Sequence, residues 1–123
     1  MNLSIEKTEH YTQIGTTENV LHLPLAVALV EKAKEALSQE HISYFIMDIS
    51  EVSHIENNSF TLLQDFGAYM QEQLGLVLFK NENPTIHQAM SEQDLIIVPS
   101  QSEAVEYIFM DQLEKQFLND NDD

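Results

Sequence analysis

The stretch "ISYFIMDISEVSHIENNSFTLL", residues 42–63, decides the fold. Its first part, residues 42–49, is apolar almost throughout and carries β-branched and aromatic side chains. A strand of that composition is covered on both faces, as the strands of parallel sheets are. The polar knot Glu56-Asn57-Asn58-Ser59 then interrupts it. From Phe60 onward, Leu63, Phe66 or Gly67, Met70 and Leu74 recur every three or four residues, the spacing of one helical face. The chain therefore passes from a buried strand through a short polar loop into an amphipathic helix. Such a loop gathers backbone N–H groups and the positive end of the helix dipole. The knot has two readings: Asn57 or Asn58 caps the helix by accepting an N–H bond, or the loop is a site.

Outward from this stretch the alternation continues. Residues 3–7 and 10–15 alternate and are expected to form a hairpin. Pro24 opens a first helix, with Leu25, Leu29, Ala33 and Leu37 on its apolar side. After the knot helix, Gly75 is placed to end it in a left-handed cap, and residues 76–79 form a short buried strand. Asn83-Pro84 caps and opens a helix through Met90, and residues 95–98 are another apolar strand. Ser100 and Glu103 have the spacing of a capping box. Ala104, Ile108, Gln112 and Leu113, with Val105, Phe109 and Phe117, are expected to be the buried side of the last helix. The order ββ-α-β-α-β-α-β-α predicts an α/β layered domain with parallel strands and helices packed on the sheet. One domain over residues 1–118 is expected, followed by an acidic, disordered tail at 119–123.

Composition removes several function classes. There are 21 acidic residues against five lysines and no arginine, a net charge of −16. Nucleic acid and anionic membrane surfaces repel such a chain, and the best bidentate phosphate fork is missing. The excess charge suits a basic partner surface, although it also serves solubility. With no cysteine, disulfides, thiolate metal sites and thiol nucleophiles are excluded, and the composition fits the cytoplasm. No apolar run is long enough to cross a bilayer, and the first residues lack the pattern of a signal peptide.

Chemistry-bearing motifs are sparse. His10, His22, His41, His54 and His87 include no pair at metal-ligand spacing on a helix, so no metal is expected. Of these, His54 lies nearest the knot. Three glycines, Gly15, Gly67 and Gly75, cannot assemble a phosphate-cradling loop or a dinucleotide fingerprint. There is no Gly-x-Ser-x-Gly elbow. Catalysis and cofactors are not expected, and Met47, Met70 and Met110 read as core fillers. A small enzyme or ligand-binding domain, using the strand ends near residues 50–58, is the alternative from another class.

The ordered motifs resemble the STAS domain, shared by sulphate transporters and bacterial anti-sigma factor antagonists. Asp48-Ile49-Ser50 is similar to the family's Asp-Leu-Ser strand end, and Glu56-Asn57-Asn58-Ser59-Phe60 stands for its Asp-Ser-Ser-Gly-Leu helix start. Gly75-Leu76-Val77-Leu78-Phe79 resembles the following strand, Asn81-Glu82-Asn83-Pro84 its Asn-x-x-Pro turn, and Ser102-Glu103-Ala104-Val105 the start of its last helix. The resemblance runs from about residue 42 onward. The early Gly-Glu-Leu-Asp segment is not recognisable in Asn19-Val20-Leu21-His22. The family implies a mixed sheet with an N-terminal hairpin, and a regulatory, non-enzymatic role in docking a protein partner. In its antagonists a kinase that is also the anti-sigma factor phosphorylates a serine of this loop. That serine falls on Asn57 and the second serine on Asn58, neither of which has a hydroxyl. The resemblance thus implies partner docking through Glu56, Asn57, Asn58, Ser59 and Phe60 without the usual switch, with Ser59 a candidate displaced phosphoacceptor. The other implied role is a STAS subunit regulating a transporter or lipid-transport ATPase.

Overall fold

The computed structural model of the chain describes residues 2–120. The elements run β1 (Leu3–Lys7), β2 (Thr12–Thr16), β3 (Val20–Leu21), α1 (Leu23–Glu40), β4 (Tyr44–Asp48) and β5 (His54–Ile55). A 3-10 turn at Asn57–Ser59 leads directly into α2 (Phe60–Glu72), followed by β6 (Leu76–Lys80), α3 (Pro84–Glu92), β7 (Ile97–Val98) and α4 (Gln101–Asp120). Five strands form one sheet in the order β1-β2-β4-β6-β7, with β1 antiparallel to β2 and every other pairing parallel. The expected hairpin, mixed sheet and crossover helices are all present. Two strands were not legible in the sequence: β3 and β5, of two residues each, pair in parallel as a separate small sheet.

The central strand β4 is buried on both sides, and its alternation divides the interior in two. Phe45 and Met47 join Val77 and Phe79 of β6 on the face covered by α1, α2 and α3. Tyr44 and Ile46 join Leu76 and Leu78 on the other face, where Ala104 and Ile108 of α4 cover them. Each fully buried Leu, Ile, Met or Phe side chain contributes about 1.5–3 kcal/mol of transfer free energy. Most expected core positions of α1 and α2 are buried, namely Leu25, Leu29 and Ala33, then Phe60, Leu63, Phe66 and Met70, whereas Leu37 is half-buried and Leu74, just past the end of α2, is exposed.

The last helix departs from expectation. Ala104 and Ile108 are buried, but Phe109, Leu113 and Phe117 are exposed, and Met110 is 61% exposed rather than a core filler. The reason is geometric: among the described residues no second helix lies beside α4, so only its sheet-facing row is covered. That row is fastened at its far end by polar contacts. Tyr44 Oη donates to Asp111 at 2.9 Å, and Lys115 Nζ lies 2.7 Å from the same carboxylate while donating to the carbonyls of Leu74 and Gly75. Burial pushes the Tyr44 hydroxyl above its ordinary pKa. Burial also depresses Lys115, but the Asp111 carboxylate and the Tyr44 hydroxyl beside it outweigh this and hold the ammonium above its usual value. The helix runs to Asp120, so the first two residues of the expected tail are helical, and the rest of that tail lies outside the described residues.

Three helices end on a left-handed residue that is not glycine: His41 (φ 57°), Leu74 (φ 60°) and Asp94 (φ 58°). At the end of α2, Leu74 N–H donates to Gln71 and Gly75 N–H to Met70, the paired bonds of a Schellman motif. Gly75 is therefore not the left-handed residue the sequence suggests. It is needed one step later, where a Cβ would run into the carbonyl group of Ser43.

Candidate partner-docking site

The polar knot sits on the surface because two clamps hold the backbone on either side of it. The first lies at the end of β4. Asp48 Oδ1 accepts from the Ser50 amide at 3.1 Å and from the Ser50 hydroxyl, while Lys80 Nζ stands 3.6 Å from its other oxygen. Asn81, 1% exposed, then donates through Nδ2 to the carbonyls of Ile49 and Val52 at 2.6 and 2.9 Å. Its Oδ1 accepts from the Asn83 amide, and Asn83 Oδ1 accepts from Thr85 N–H, which opens α3. The Asn-x-x-Pro turn is thus a brace for the loop leaving the neighbouring strand. Buried carbonyls left without such donors each cost about 1–3 kcal/mol.

The second clamp is the small sheet. Ser53 N–H donates to Asn19 O at 2.8 Å and Glu56 N–H to Leu21 O at 2.9 Å. The Ser59 hydroxyl adds a bond to the same Leu21 carbonyl at 3.1 Å. Together these turn Ile55, Ser59 and Phe60 inward and leave His54, Glu56, Asn57 and Asn58 outside. The outward residues border a shallow concavity of about 320 Å³. The exposed side of α2 continues from it through Thr61, Asp65, Ala68, Tyr69 and Glu72, with Lys34 Nζ 5.6 Å above the Tyr69 ring. Two neutral amides beside the Glu56 carboxylate can accept and donate hydrogen bonds, and they suit a partner surface carrying Lys or Arg.

One expectation is corrected here, and burial bears on two others. Neither Asn57 nor Asn58 caps the helix. The residues at the cap positions, Glu56 and Ser59, make no side-chain cap bond, because the 3-10 turn satisfies the first N–H groups with backbone carbonyls. Ser59 is fully buried with its hydroxyl engaged, so in this conformation no kinase reaches it. Phe60, 6% exposed, belongs to the core and offers no contact surface. The sequence also concealed the cap of α1, where His22 Nδ1 accepts from Leu25 N–H at 3.1 Å. Histidine is not among the usual cap residues, so its position before Leu23-Pro24 was the sole available hint. Among the described residues, no three His, Asp or Glu side chains come together as a metal set.

The Bacillus anti-sigma factor antagonist SpoIIAA, in its unphosphorylated form, superposes on this architecture with a TM-score of 0.66 at 15% identity. The match covers 87% of this chain and 97% of that one. The fold is STAS-like. A substituted form of RsbS from Moorella thermoacetica gives a TM-score of 0.70 at 10% identity, over 88% of this chain and 95% of that one. The murine anion transporter Slc26a9, in its inward-facing state, gives 0.67 at 15% identity over 85% of this chain. There the match spans 18% of the transporter, so a STAS-like unit is one part of that larger protein. No protein-family model and no curated protein matches the chain. Within the STAS-like frame, the knot occupies the loop between the central strand and the second main helix, and no described helix is long and apolar enough to cross a membrane.

Proposed function

We propose that the chain is a regulatory, protein-binding STAS module of the anti-sigma factor antagonist type. It docks to an anti-sigma factor of the serine-kinase class through Glu56, Asn57, Asn58 and the exposed side of α2. The observation that carries this reading is the pair of exposed amides at the start of α2, in a loop braced from two sides. A phosphate in such a loop adds nearly two negative charges beside the partner surface. Asn57 and Asn58 offer a kinase no hydroxyl and keep these two positions uncharged, which resembles a permanently binding-competent state. Ser59 contributes a structural bond, and Phe60 anchors the helix from below. SpoIIAA, by contrast, is known in both phosphorylated and unphosphorylated forms.

The test is a calorimetric titration of a serine-kinase anti-sigma factor from the same organism against wild type and the Glu56→Lys/Asn57→Glu double variant. Wild type binds, and the double variant binds at least about tenfold more weakly, the loss expected when charges at a contact are reversed. Equal affinities sink the docking assignment. With kinase and ATP, intact-mass measurement finds no phosphate on wild type and one on Asn57→Ser/Asn58→Ser. A phosphate on wild type overturns the missing switch.

A second reading is favoured by the likeness to a segment of an anion transporter. Here the same loop docks to a transporter or a lipid-transport ATPase and no phosphorylation is involved. Binding to such a complex, with none to the anti-sigma factor, decides for it.

A further inference from the structure

The second face of the sheet is covered incompletely. A helix with its side chains is about 10–12 Å across, whereas five strands at about 4.8 Å spacing make a sheet nearly twice as wide. α4 is the sole described helix on that face. Beside it, toward the edge strand β7, lies an open groove of about 850 Å³. Its floor is apolar: Val98, Tyr107, Met110, Leu113 and Phe117. The last three are each 60% exposed or more, and recur along α4 at the three- and four-residue spacing of a helix-packing row. Single exposed apolar residues are ordinary, but a contiguous row of this kind marks a docking surface.

The rim decides what fits. Glu103, Glu106 and Glu114 border the groove, are exposed, and make no ion pair among the described residues. Asp111 also lines the groove, but its carboxylate is taken up by Lys115, which the carbonyls of Leu74 and Gly75 hold as well. In an isologous dimer through this row the acidic rims of two copies, each of net charge −16, would face one another. An anionic bilayer meets the same repulsion. We propose that the groove beside α4 is a second docking surface, and that its occupant is a cationic amphipathic helix of a protein partner. Apolar side chains of that helix at i, i+3, i+4 and i+7 lie on Met110, Leu113 and Phe117, and its Lys or Arg residues pair with Glu103, Glu106 and Glu114. The surface is independent of the polar knot, which lies at the opposite side of the sheet beside α1 and α2.

The experiment uses the full chain and a fluorescent, synthetic Leu/Lys amphipathic helix of about 18 residues, five turns long. A scrambled peptide of the same composition and a Leu/Glu version serve as controls. Anisotropy is expected to report saturable one-to-one binding of the Leu/Lys helix alone, weakened about tenfold by Met110→Glu/Leu113→Glu. Glu106→Lys/Glu114→Lys lowers affinity and flattens its salt dependence, while Glu56→Lys/Asn57→Glu leaves it unchanged. Circular dichroism of the variants shows retained folding, since the altered side chains are exposed. Equal binding of the scrambled peptide reduces the effect to net charge and overturns the proposal. So does a dimer in sedimentation that Met110→Glu/Leu113→Glu abolishes and the peptide fails to displace, or stronger binding to phosphatidylserine vesicles than to the peptide.

Discussion

The two faces of the sheet are built to different standards. On one, three helices close over a continuous interior that runs from Ile14 to Met90. On the other, a single helix lays Ala104 and Ile108 over five buried strand residues and then extends past them with its apolar side chains in the open. Neighbouring residues of β4 belong to different regimes: Phe45 and Met47 are sealed in, while Tyr44 depends on a hydroxyl bond to Asp111 for its place. The first face carries stability, and the second leaves apolar surface uncommitted.

Substitutions on each face put this contrast to the test. The largest loss is expected from Phe45→Ala, about 3–5 kcal/mol in urea unfolding, because three helices cannot collapse into the cavity. Ile108→Ala on the thinner face should cost less, about 2–3 kcal/mol, since α4 can settle and water can reach its flank. A loss equal to that of Phe45→Ala would show α4 to be as tightly integrated as the other helices. Asn81→Ala removes donors from two carbonyls and should cost about 1–3 kcal/mol. Faster amide exchange across residues 49–56 would accompany it, and unchanged exchange there would deny the brace. Leu113→Ser, on the open row, should stay within about 0.5 kcal/mol of wild type.

The attachment of α4 has a pH signature. The Lys115 pKa is raised on folding, so its contribution is present below the unfolded value and lost as pH rises through the folded one. The Tyr44 pKa is also raised, so the unfolded chain loses this proton first and stability falls in the same direction. Thermal melts should therefore weaken as pH climbs past about 10, and less so in Asp111→Asn/Tyr44→Phe. An alkaline dependence identical in that variant would rule out these groups as its source.

Much of the first face was legible in advance because burial there follows simple periodicity. Residues 42–49 announced a doubly covered strand, and Phe60, Leu63, Phe66 and Met70 announced the helix over it. The last helix misled because periodicity reports that residues are apolar, not whether a neighbouring layer exists to cover them. At the knot, residue types alone suggested caps and a free hydroxyl. The backbone turn and a carbonyl from Leu21, more than thirty residues earlier, determine instead that Ser59 points inward. β3 and β5 carry no such signal, since two residues are too few to show alternation.

The left-handed helix ends carry one more consequence, for anyone who wishes to make this protein more durable. His41, Leu74 and Asp94 each hold a conformation in which a side chain is a liability, costing roughly 1 kcal/mol against glycine at such positions. Leu74→Gly is the most favourable change, because its side chain is two-thirds exposed and gives up little packing. Replacing these three residues with glycine should raise the melting temperature by several degrees while leaving both docking surfaces chemically untouched.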